Sequence, residues 1–153
     1  MDTAIINFIK QTATNIIESG QEHQPTLFPL TPSGIGVVGL AGFPSKDMFV
    51  KAMTAILHQV KAYGYILVNE AWQAEAKDEG EQERLQKFLD SGKGISDLPL
   101  DDRVEILIIT CYQIGEPLKT LIAKINNRRV GEFTEMVESE DMKFEGRMVV
   151  RNW

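Results

Sequence analysis

Ile106-Leu107-Ile108-Ile109 is the most restrictive stretch of the chain. Consecutive residues of a strand point to opposite faces, so an unbroken apolar run places Val104 to Gln113 inside a sheet, as a central strand. Gly115-Glu116-Pro117 then turns the chain, Leu118 to Ile125 runs back, and Asn126-Asn127-Arg128-Arg129 makes the next turn. Phe133 to Val137 and Met142 to Val150 are expected to close the chain as a last pair around Ser139-Glu140. Turns this short force antiparallel neighbours.

The first half is built differently. Asp2 or Thr3 caps a helix with apolar positions Ile5, Ile6, Ile9, Ala13, Ile16 and Ile17, and Gly20 stops it. Pro25, Pro29 and Pro32 make residues 23–32 an extended edge or arm rather than a central strand. Ile35 to Leu40 reads as a short buried strand. Ser45 opens a second helix, with Asp47 in its first turn and a stripe through Phe49, Met53, Ile56, Leu57 and Val60 that ends near Gly64. Tyr65 to Trp72 is a strand, and Leu85, Phe88 and Leu89 suggest one or two further helical turns. The fold class that follows is α+β. Its core is a mostly antiparallel sheet of about five to six strands, with the two main helices packed on one face. Residues 1–153 form one domain.

Charge restricts the partners. The formal net charge is −6. Residues 75–83 carry five acids against one lysine, and residues 132–145 carry six against one. The remainder of the chain is therefore slightly basic, without the dominant footprint that duplex nucleic acid demands, and no direct duplex binding is expected. No stretch of about 18 residues is both apolar and uncharged, so no membrane span is expected. Met1-Asp2-Thr3-Ala4 lacks a basic start followed by an apolar run, and the one cysteine, Cys111, cannot form an intrachain disulfide. A reducing, cytoplasmic setting follows as the expectation.

Several motifs carry less chemistry than their letters suggest. Gly34-Ile35-Gly36-Val37-Val38-Gly39 spells G-x-G-x-x-G, but prolines precede it, no helix opens directly after it, and no acid stands about 20 residues on. Its glycines read as a bulge or close packing within a strand. The turn Gly42-Phe43-Pro44-Ser45 offers free N–H groups, as every helix start does. Gly92-Lys93-Gly94 lacks the rest of a phosphate loop. His23 and His58 are far apart and without metal-ligand spacing, so neither a metal nor another cofactor is expected. Cys111 reads as a small core residue of an apolar strand.

Glu70 is the acid that stands out. Alternation places Ile66, Val68, Glu70 and Trp72 on one face of their strand, and a carboxylate in that row needs a cation. Arg103, at the start of the neighbouring central strand, is the expected partner. Two functional classes follow. In the first, the chain is a non-enzymatic interaction domain that binds itself or a basic protein surface. Its contacts are the apolar helix faces (Ile5, Ile9 and Ile16 between copies) and an acidic hairpin of Glu132, Glu135, Glu138, Glu140, Asp141 and Glu145. In the second, it is a small-molecule-binding domain or simple acid–base enzyme centred on Glu70 and Arg103, with Tyr65 or His58. An acidic inhibitor that mimics nucleic acid is a further alternative. The discriminating feature is whether a pocket opens at Glu70 or the second helix seals it.

Overall fold

Asp2 caps the first helix, α1 (Thr3–Glu18), by accepting the Ala4 N–H at 2.9 Å. Gly20, at φ +90°, ends it with the N–H of Gly20 on the Ile17 carbonyl. Ser45 caps α2 (Lys46–Gln59) in the same way, accepting from Met48 N–H at 3.2 Å. The computed structural model describes residues 1–74, 76, 78–99, 103–141 and 148–153. Its strands are β1 (Thr26–Thr31), β2 (Gly34–Ile35), β3 (Val38–Gly39), β4 (Gly64–Ala74), β5 (Arg103–Gln113), β6 (Lys119–Asn126), β7 (Arg129–Val130) and β8 (Thr134–Val137). A third helix, α3 (Glu79–Asp90), and a 3-10 turn at Ile95–Asp97 lie between β4 and β5.

The class is α+β, as expected. The strand order is β2-β1-β4-β5-β6-β7, all antiparallel, with β3 beside β2's position on β1 and β8 beside β7's on β6. Strand β5 is central and pairs β4 along its whole length, from Gly64↔Gln113 to Ala74↔Arg103. The helices, however, divide between the two faces. Ile6, Ile9, Ala13 and Ile17 of α1 meet Ile66, Val68, Leu107 and Ile109. Phe49, Met53 and Leu57 of α2 meet Leu27, Tyr65 and Leu67. The reason lies in β4, whose odd and even positions are both apolar, so one helical layer would leave Tyr65 and Leu67 in water.

Three further expectations change. Residues 34–39 are not a buried strand but a broken outer edge, with Ile35 and Val37 exposed. Strand β1 therefore lies one place inside that edge, despite Pro29. Pro29 tolerates this because its carbonyl accepts from Gly36, so its missing N–H faces the interrupted edge rather than β4. The helical turns after β4 extend to twelve residues, α3, with none of them buried. Strand β8 pairs β6. Residues 142–147 of the expected partner strand lie outside the described residues, and 148–150 carry no strand. The chain end instead crosses to the α2 face, where Val150 is buried and Met148 and Trp153 pack beside it.

Cys111 sits in the α1-side core at 3% exposure, and burial pushes its thiol up to about 12. Thiolate at neutral pH is then scarce, and a reagent reaches the sulfur only when the sheet opens. Labelling by an aromatic disulfide reagent is expected to be at least ~1,000-fold slower in the native protein than in denaturant. Equal rates in the two conditions would place the thiol at the surface.

Candidate functional site

Alternation along β4 sends Glu70 and Trp72 to the α1 side, beyond the end of the apolar row Ile66 and Val68. The register sets Glu70 opposite Leu107 and Trp72 opposite Glu105, so the two carboxylates are diagonal neighbours on one face. Glu105 in turn lies opposite Ile125 of β6, three residues before Arg128. Asn127 and Arg128 form the two-residue turn between β6 and β7, at φ 51° and 59°. Both central residues in the left-handed region define a type I′ hairpin, the connection that suits the strand twist. Asn accepts that conformation readily, whereas arginine there costs roughly 1 kcal/mol.

The turn aims Arg128 back over the sheet. Its Nη2 donates to Glu70 Oε1 at 3.0 Å and to the Gln21 carbonyl; Nη1 donates to Glu105 Oε1 at 2.9 Å and to Glu70 Oε2 at 3.5 Å. Nε is buried and has no hydrogen-bond partner among the described residues. The backbone N–H of His23 also donates to Glu70 Oε1, at 2.8 Å. Glu70 and Arg128 thus tie down the segment between α1 and β1. Beside them opens a cleft of ≈ 430 Å³ lined by Gly20, Glu22, Glu70, Ala71, Trp72, Glu105 and Arg128.

One guanidinium serves two carboxylates, and the pair responds unequally. Burial raises the Glu70 carboxyl, but the Arg128 and His23 hydrogen bonds outweigh it and hold the group below its ordinary value. Burial also raises Glu105, and there the neighbouring Glu70 adds to the rise while Arg128 opposes it, leaving the group above its ordinary value. Two nearby acids whose tendencies are driven apart form one coupled unit. Among the described residues, no three His, Cys, Asp or Glu converge as a metal site.

The Glu70–Arg103 pairing expected from sequence is replaced by Glu70–Arg128. Arg103 lies opposite Ala74, four residues along β5 from Leu107 and so about 13 Å away along the strand. Its guanidinium carbon stands 4.1 Å over the Trp72 ring, a cation–π contact at the rim of the site. Tyr65 is an odd position of β4 and faces α2; its hydroxyl accepts from Val150 N–H at 3.1 Å, and burial pushes it up to about 12. His58 is exposed in the last turn of α2, on that same far side. Neither residue joins Glu70, because the strand's alternation puts the sheet between them.

The acidic segment is also divided. Glu138 is buried, its side chain 3% exposed, and both its oxygens are held by the Arg151 fork. Glu135 lies 3.3 Å from Lys119 across the β6–β8 pair. Glu132, Glu140 and Asp141 are exposed, and Glu145 lies outside the described residues. Of the helix residues expected at a contact between copies, Ile9 is buried against the sheet and Ile5 and Ile16 are half-buried.

Glu105 and Arg128 are the site residues that sequence reasoning missed. A signal existed. A turn centred on Gly115 fixes Glu105 opposite Ile125, and from there the Asn127-Arg128 turn must hang over the open end of β4. No protein-family model, curated protein sequence or solved structure matches this chain.

Proposed function

We propose that this chain is a small-molecule-binding domain and that its ligand is a small organic cation held in the cleft beside Glu70. The observation that carries the reading is the charge balance of that cleft. Among the described residues that line it, Glu22, Glu70 and Glu105 stand against one guanidinium, Arg128, while Arg103 lies at the rim over the half-exposed Trp72. A low-dielectric wall bearing an uncompensated carboxylate concentrates cations. Burial is the first cause of the rise at Glu105, and the neighbouring Glu70 carboxylate adds to it against Arg128. Gly20 places the cleft at the C-terminal end of α1, where the helix dipole also favours positive charge. Arg103 covers one face of the Trp72 ring, and the rest of the indole borders the cleft.

Contact with another copy or with a basic protein surface has less support. The helices bury Ile6, Ile9 and Ile17 and Phe49, Met53 and Leu57 in the core, leaving Phe8 and Met48 exposed, and Glu138 is held inside the fold.

Agmatine and tryptamine are the probes, with phosphate and indole-3-acetate as anionic controls. At about ten times the dissociation constant, a bound amine is expected to raise Tm by roughly 4 °C. The anions are expected to leave Tm unchanged, and Glu105→Gln to abolish the amine effect. The proposal falls if neither amine shifts Tm at millimolar concentration, or if indole-3-acetate shifts it as much as tryptamine.

A further inference from the structure

We infer that Arg128 is a built-in occupant of the cation site, displaced by the cationic group of the ligand, and that its departure loosens the 20–25 segment joining α1 to β1. The inference rests on the cleft's being a cation site, as proposed above, and adds how that site is opened and what opening does.

Four features point the same way. The turn does not call for arginine, because φ 59° at the second central position is the place where glycine fits best. The residue is there for what its side chain reaches. That reach is a compromise: the two Nη atoms are divided among Glu70, Glu105 and the Gln21 carbonyl, and Nε is buried with no partner among the described residues. A free guanidinium or ammonium, unconstrained by a two-residue turn, can settle between the carboxylates with better geometry. The turn can also give way cheaply, because Asn126, Asn127 and Arg129 are exposed and the core of β6 begins at Ile125.

The fourth feature is the link to the rest of the chain. Among the described residues only Arg128 joins the carboxylate pair to the Gln21 carbonyl, and Val130, two residues on, donates its N–H to Glu18 at the end of α1. A ligand can replace Arg128 at Glu70 and Glu105, but it does not restore the tie from the hairpin to Gln21. Binding therefore exchanges an internal clasp for an external one and leaves the α1–β1 segment held by fewer bonds. The affinity measured for the whole chain is lowered by the competition with Arg128.

Two measurements test this. Arg128→Gly keeps the turn in its preferred backbone region and empties the site, so agmatine is expected to bind at least tenfold tighter than to the unaltered chain. In the unaltered chain, saturating agmatine is expected to speed amide hydrogen exchange at residues 21–24 severalfold, with exchange in β5 unchanged. Should Arg128→Gly fail to fold, the exchange measurement decides alone. Binding to folded Arg128→Gly that is equal or weaker would make Arg128 part of the ligand's site rather than its competitor, and the inference fails. Slower or unchanged exchange at 21–24 under saturation overturns it too. If agmatine and tryptamine bind neither protein, the cation-site reading itself fails, and this inference with it.

Discussion

Replacing Arg128 with methionine is expected to lower the free energy of unfolding by about 3 kcal/mol, because it strands a nearly buried carboxylate. The Glu70 side chain is only 9% exposed, and the Arg128 side chain 32%, so the lower end of the range for breaking a buried pair applies. Adding Glu70→Gln to that variant removes the stranded charge and is expected to recover much of the loss. Urea midpoints for the two single variants and the double variant measure the coupling. Purely additive losses would mean that Glu70 and Arg128 do not stabilise one another. The same cycle with Arg103 in place of Arg128 is expected to be additive, since Arg103 stacks on Trp72 instead.

The pH dependence of this cluster has two limbs of opposite sign. Glu70 is held below its ordinary value, so its contribution is present above the unfolded glutamate pKa of about 4.3 and disappears as pH falls through the lower folded value. Glu105 is held above its ordinary value. Its folded protonated form is the favoured one, so its contribution is complete below about 4.3 and is lost as pH rises through the higher folded value. Near that pH the two effects offset each other. Glu105→Gln deletes the second limb and, because the two acids are coupled, also alters the first; unfolding midpoints that rise from acid to neutral pH and then stay level are the expected result.

How much of this was readable from residues depends on the range of the interaction concerned. Caps at Asp2 and Ser45 and the central place of β5 follow from local pattern, and the structure reproduces them; β4 is there too, running Gly64–Ala74 rather than Tyr65 to Trp72. Which face receives α2 was also implicit, since Tyr65 and Leu67 alternate with Ile66 and Val68 and each pair needs cover. Glu70 was visible because a carboxylate interrupts an apolar row. Its partner was not, because Arg103 is near in strand order whereas Arg128 arrives through two hairpins and a left-handed turn. A one-residue change in either register would redirect that side chain, and composition carries no trace of register. The acidic segment shows the same limit: Glu138 looks like its neighbours in sequence, and only the returning chain end distinguishes it.

That chain end gives the largest expected effect. Removal of residues 148–153 is expected to destabilise the fold by more than about 5 kcal/mol, a large part of a typical domain's total stability. Val150 is 4% exposed against the α2-side core, and its N–H is the donor to the buried Tyr65 hydroxyl. The Trp153 indole N–H donates to the Ala62 carbonyl at 2.9 Å, and its ring meets Tyr65 and Tyr112 edge-on at 5.9 and 6.0 Å. Arg151 brings both Nη groups to Glu138. Loss of the segment opens the apolar core and leaves a buried hydroxyl and a buried carboxylate without these partners, effects that compound. Trp153→Ala alone is expected to cost about 3 kcal/mol, the low end for a tryptophan because its ring is only half-buried. Urea unfolding followed by circular dichroism gives both numbers. The cleft provides the control, since Glu70 and Arg128 lie across the sheet from this chain end: Trp153→Ala should leave agmatine affinity unchanged while the urea midpoint falls. A truncated protein that unfolds at the same urea concentration as the full chain would show that the segment lies on the core without stabilising it.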